Sequence, residues 1–265
     1  MTFLFCLFLV GLIVASIIDL KTKIVPNWLT LTLLFSGLAY IIITNLSTPS
    51  LFLQLSWFIL FMAAIAILFY QARFFAGGDA QLLFSMTPIF LAPIFTKTFL
   101  NLATFIFSLF IAGAIYGLAY TLILFFLNYN KTKKDFKKII SQNQMKLSLI
   151  AGVILSILSI FFTLLILPGI ILIILPPLFA TAKSIEKNVL TKTVSPEKLE
   201  EGDWLVKDIK IKSKTIQSSW DGLSSDDISL LRKLKIKAKI KYGIPYVPAF
   251  LIAFLIWSFW LINFF

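Results

Sequence analysis

Up to residue 182 the chain repeats one pattern: a long apolar run rich in Phe, Leu and Ile, then a short polar joint. A helix needs about 20 apolar residues to cross a bilayer. On that measure the runs predict helices near 3–18, 28–44, 51–72, 80–95, 99–127, 147–167, 169–182 and 246–264. The fourth is short and contains Pro88 and Pro93, so it is expected to be kinked or only partly spanning. The stretch 147–182 reads either as one long bent helix or as a hairpin turning at Pro168-Gly169. Basic residues decide between them, because cytoplasmic loops collect Lys and Arg. Lys21 and Lys23 follow the first run, six lysines from Lys131 to Lys146 follow the fifth, and 14 Lys/Arg lie in 183–243. Keeping all of these on one side requires 147–182 to enter and leave on that side, which favours the hairpin. The expected fold is therefore an all-α polytopic membrane protein of about 6–8 transmembrane helices, with a small α+β cytoplasmic module.

That module is the one long polar stretch. The expected domains are a transmembrane catalytic domain at 1–182, the module at 183–243 and a C-terminal transmembrane helix at 244–265. "SPEKLEE" offers Ser195 as a helix cap with Pro196 at the first helical position. "SSDDISLLRKL" offers Ser224 and Asp227 as a capping pair ahead of an apolar run. "VKDIKIKSK" and "LKIKAKIK" alternate with period two and read as strands.

Composition narrows the chemistry. Apolar residues make up 59% of the chain and mean hydropathy is +0.96, well above a soluble domain, which is near half apolar. The first run could pass for a secretory signal core, but it lacks a charged start and leads into "DLKTKIVPN", so it reads as a retained span. There is no His, and Cys6 is the one cysteine. A His/Cys metal site, a Ser-His triad and an internal disulfide are therefore excluded, and no cofactor is expected. The net charge of +12 is spread along segments that flank apolar runs. Anionic membrane lipids are its expected partner, and nucleic acid is not. "GAIYG" at 113–117 reads as a small-residue helix-packing motif.

As far as residue 134 the chain has two acidic residues, Asp19 and Asp79, each at the end of an apolar run and both expected at the cytoplasmic face. The plain reading is a flanking charge that snorkels to water. The sharper reading is a working pair, since ionisable groups at membrane depth are costly and usually functional. Two neighbouring carboxylates share a proton, and one can then activate water for attack on an amide. Gly77 and Gly78 ahead of Asp79 are expected to allow dihedrals closed to other residues and to let a substrate backbone approach. Helix ends suggest separate roles. Asp19 follows the negative end of the first helix and is expected to be the protonated partner, while Asp79 opens a helix and is expected to be the base.

These residues resemble a known family. "AGGD" is similar to the GxGD element of intramembrane aspartyl proteases. "DLKTKIVPNWL" resembles the first-aspartate segment of prepilin peptidases, and "LEEGDWL" with "KYGIPYVPAFLIAFLI" resembles the tail of archaeal prepilin and preflagellin peptidases. Ala76 stands where the motif often has Gly, Gln81 where a Lys is common, and a cysteine-rich zinc loop is missing. The resemblance implies that Asp19 and Asp79 are the catalytic aspartates, with Pro26, Asn27, Gly77 and Gly78 at the substrate. It also implies an aspartic endopeptidase that cuts class III signal peptides from prepilin- or archaellin-like precursors at the cytoplasmic face of the cell membrane. A leader rich in Lys or Arg would need an acidic receiver, and Glu197, Glu200, Glu201 and Asp203 are the one acidic cluster. A presenilin-like intramembrane protease, or a proton- or ion-coupled transporter using Asp19 and Asp79 as a relay, are the alternatives.

Overall fold

The computed structural model describes residues 2–46, 48–211 and 214–264. Most of the chain is helical. Seven helices come first: α1 (Thr2–Thr22), α2 (Asn27–Thr44), α3 (Pro49–Gln71), α4 (Gly77–Ser85), α5 (Thr87–Phe90), α6 (Phe95–Leu127) and α7 (Tyr129–Ile140). Then follow α8 (Asn143–Leu158), α9 (Ile166–Ile185), β1 (Thr191–Val194), β2 (Trp204–Leu205), β3 (Ile209–Ile211), β4 (Lys214–Ile216), α10 (Ser225–Lys233), β5 (Ala238–Lys241) and α11 (Val247–Phe264). Two compact units result: Met1–Gly117 with Ile244–Phe265, and Leu118–Gly243. Helix α6 runs from the first into the second. Among the described residues five helical stretches are long and apolar enough to cross a membrane: α1, α2, α3, α6 and Thr163–Leu190. Two other apolar helices are shorter, Asn143–Leu158 and Val247–Trp260. The chain is a multi-pass membrane protein.

In the first unit the fourth apolar run is short and broken, as its prolines lead one to expect. It is two short helices, and the nine residues of α4 rise only about 14 Å, less than half the hydrocarbon thickness. All four residues of α5 are buried, and α5 packs against α1, α2 and α3. Gly37 of α2 makes room for it, since a Cβ there would stand 2.8 Å from Pro88. Beyond α5 the backbone is irregular through Pro93, and irregular backbone in a membrane unit must be satisfied from within the protein. Asn101 Nδ2 donates to the Phe90 carbonyl at 3.2 Å, and Gln54 Nε2 to the Ala92 carbonyl at 3.1 Å. The Ala92 amide donates to Thr98 Oγ1 at 2.9 Å, and Gln54 Nε2 also reaches Thr98 Oγ1 at 2.6 Å. Around this break Phe8, Phe58, Phe90, Phe105, Phe250 and Phe254 are fully buried.

In the second unit α8 and α9 form the expected helical hairpin, but its turn lies at residues 159–165 rather than at Pro168-Gly169. Pro168 falls in the first turn of α9, where a missing N–H costs nothing. Gly169 is instead a contact point: a Cβ there would stand 2.9 Å from the Ser156 amide nitrogen, and one at Gly152 would stand 2.9 Å from the Gly169 carbonyl. Ser148 Oγ donates to the Leu172 carbonyl at 3.1 Å, tying the two helices together again. The lysine-rich stretch before α8 is itself a helix, α7, packed on α9. Asp135 of α7 accepts from Lys187 Nζ at 2.6 Å and from Asn188 Nδ2 at 2.9 Å, both in the wide turn Glu186–Leu190 that ends α9.

The polar module is α+β. A three-stranded antiparallel sheet has the order β1-β5-β2, and β3-β4 form a separate hairpin. Its core gathers Leu199, Leu205, Leu223, Ile228, Leu231 and Ile240. The capping pair is present, with the Asp227 amide donating to Ser224 Oγ at 3.2 Å and the Ser224 hydroxyl donating to Asp227 Oδ2 at 2.8 Å. "SPEKLEE" forms only a single 3₁₀ turn, Pro196–Lys198. In the acidic cluster the Asp203 carboxylate folds back to accept from the Glu200 amide at 3.0 Å.

Candidate active site

Helix α1 buries one stripe, Leu4, Phe8, Leu12, Ala15 and Asp19, at spacings of three or four residues. Asp19 therefore lies on the inward face, 4% exposed, and does not snorkel to water. What receives it is the start of α11. The first N–H groups of any helix lack partners within it. Here Pro248 has none to offer, and the Val247 amide donates to Asp19 Oδ2 at 3.0 Å. The Tyr246 amide lies beside the same carboxylate. A carboxylate at the foot of one helix thus caps the head of another. This overturns the expectation that Asp19 feels only the negative end of α1. Two helix ends act on it in opposite senses, so dipoles alone do not divide roles between the aspartates.

Asp79 is the third residue of α4 and is 9% exposed. Its carboxylate reaches back to the amide of Ala76, the residue before the helix, as the acid of a capping box does. The glycines before it are not there for their dihedrals. Both lie in the first turn of α4, and among the described residues the positive-φ glycines are Gly202 and Gly222. Gly78 is small because of Val25, whose Cβ would be 3.0 Å from a Cβ at Gly78. Gly77 is exposed, with only the Tyr70 ring at 3.9 Å from where a Cβ would lie. Through Val25 the link between α1 and α2 seats on the first turn of α4. The Asp19 and Asp79 charges are close enough to act on each other. Pro26, in that link, is half-buried and precedes the first turn of α2, which the exposed Asn27 opens.

The residue that reading the sequence for chemistry passed over is Tyr246. Its ring packs against Phe75 and Phe250, with centroids 5.8 and 6.0 Å away. Its phenol lies on Gly113 of α6, where a Cβ would stand 2.7 Å from Tyr246 Cζ and closer still to Oη. The charge of Asp79 acts on that phenol. "GAIYG" is thus a seat for a tyrosine at Gly113, while a Cβ at Gly117 would meet nothing within 4 Å. The signal was in the sequence, as a small residue in one run and a Tyr between two prolines in another.

Residues 6–121 match the model of the type IV leader peptidase family. That segment is similar to this family. It holds both aspartates and Gly113, and nearly all of it lies in the first compact unit. The family indicates a peptidase, and the leader-peptidase segment takes its last wall, α11, from outside the match. No curated protein and no solved structure matches the chain significantly.

Proposed function

We propose that the chain is an aspartic endopeptidase with Asp19 and Asp79 as its catalytic pair. It cleaves short leader peptides from prepilin- or archaellin-like precursors at the cytoplasmic face of the membrane. The observation that carries this reading is the burial of the two acids of the N-terminal half, each within the field of the other, in a segment similar to leader peptidases. The chemistry needs no metal. One carboxylate takes a proton from water as its oxygen attacks the scissile carbonyl carbon, and the other, protonated, gives its proton to the carbonyl oxygen. The tetrahedral species then collapses, the C–N bond breaks, and the leaving nitrogen takes a proton from the pair. Open space at Gly77 gives an extended peptide backbone room beside Asp79.

The test is cleavage of a precursor with a short basic leader and an apolar helix by membranes carrying the wild-type, Asp19→Asn or Asp79→Asn chain. Each variant should accumulate normally and cut nothing. Appreciable cleavage by either one refutes the aspartic mechanism.

A further inference from the structure

Tyr246 adjoins both aspartates, its backbone beside Asp19 and its phenol within the field of Asp79. Three features make this a built arrangement. The next amide, Val247, bonds Asp19, so the backbone at 246–247 is anchored at the catalytic pair. Phe75 and Phe250 pack on the ring and on each other, and Phe75 stands four residues before Asp79. On α6 the position under the phenol is Gly113, and any side chain there would push the hydroxyl away. Tyr246 is only half-buried and its hydroxyl forms no hydrogen bond to the protein among the described residues, so its proton is available to a substrate.

Resting on the leader-peptidase reading, we infer that Tyr246 is a catalytic residue whose phenol donates a hydrogen bond to the carbonyl oxygen of the bond being cut. As water adds to the carbonyl carbon, the π electrons move onto that oxygen, and a donor fixed beside it lowers the energy of the charge that develops. The phenol keeps its proton throughout. The carboxyl pair gives its proton to the carbonyl oxygen and takes one from water, then on collapse takes an O–H proton back and gives one to the leaving nitrogen, so atoms and charge balance without any oxidant or further reactant.

The full-length protein in liposomes is assayed with a synthetic precursor peptide of basic leader and apolar helix. Folding is followed by thermal melting of tryptophan fluorescence. Tyr246→Phe keeps the ring contacts and should lower kcat by about 100-fold, as loss of one oxyanion donor does, with KM within about twofold. The melting curve should be unchanged. Substituting 4-aminophenylalanine at 246 restores a donor and should recover most of kcat. If Tyr246→Phe does not fold, 4-methylphenylalanine, which fills the hydroxyl's place without donating, replaces it in the comparison. Wild-type kcat in the donor-free variant, a loss confined to KM, or failure of the amino analogue to recover activity while folding normally each overturns the inference. Failure of the underlying reading looks different: Asp19→Asn and Asp79→Asn would themselves still cleave.

Discussion

The Asp19 cap separates a structural from a chemical duty at one side chain. Asp19→Asn removes the charge but keeps an oxygen within reach of the Val247 amide, while Asp19→Ala removes both. The Val247 N–H is a first-turn donor of α11, held at 3.0 Å in a part of the chain where Asp19 and Val247 are both buried. Losing a cap costs about 0.5–2 kcal/mol, and leaving a buried donor unpaired about 1–3 kcal/mol. Since both variants are uncharged, the difference between them isolates the acceptor, at about 1–2 kcal/mol, or roughly 5–30-fold in a local equilibrium. Amide hydrogen exchange at Val247, measured by mass spectrometry on the detergent-solubilised protein, reads that equilibrium directly. The Ala variant should exchange about that much faster than the Asn variant, and neither should cut precursor. Equal protection in the two would mean that Asp19 does not hold the start of α11.

Other expectations follow from the same structure. Asn101→Leu strips the side-chain donor from the buried Phe90 carbonyl and should destabilise the protein by about 1–3 kcal/mol in reversible unfolding, with a smaller effect for Gln54→Leu, since the Ala92 carbonyl keeps the Thr98 hydroxyl as a donor at 3.2 Å. Gly152→Ala should loosen the α8–α9 pair and lower the melting temperature, because the new Cβ meets the Gly169 backbone; Gly117→Ala, whose Cβ would meet nothing within 4 Å, serves as its control. The Asp135 carboxyl is held below its ordinary 3.8, first by the hydrogen bond from Lys187 and then by that from Asn188. A depressed folded value means that this contribution is present above the usual carboxylate range and is lost as pH falls through the folded value. Acid below about pH 4 should therefore loosen α7 from the turn after α9, and Asp135→Asn should show less acid sensitivity in limited proteolysis of that segment. Cysteines placed at Lys134 and Thr215 in a Cys6→Ser background should label only from the cytoplasmic side, and labelling from outside would refute the proposed orientation.

What could be read ahead of the structure was local. Ser224 and Asp227 cap α10 because the motif closes within three residues, and Asp19 and Asp79 stood out because no other acid competes with them. Apolar runs foretold helices but could not tell a short interior pair from a span, since a side chain facing lipid and one facing protein are equally apolar. So 80–95 read as one membrane segment although α4 and α5 are interior, and only Pro88 and Pro93 hinted at the break. Pro168-Gly169 suggested a turn by its residue types, whereas the proline suits a first helical turn and the glycine a helix contact. Helix α7 was hidden by its lysines, although Thr132, Phe136 and Ile139 recur at helical spacing on its less exposed side. The strands β1 and β2, of four and two residues, are too short for a period to show. The Asp19–Val247 bond spans 228 positions, beyond the reach of any local pattern.

That span also sets an order of events. A ribosome delivers Asp19 well before Val247, with the second unit made in between. Until α11 arrives, the first helix carries an aspartate on its inward face without the amides that receive it, and Gly113 has no phenol to seat. Without α11 the bundle therefore has an unfinished centre, and the proposed reacting groups come together only when that helix joins. In the proposed protease α11 thus acts as a delay: cutting begins only once this helix is in place.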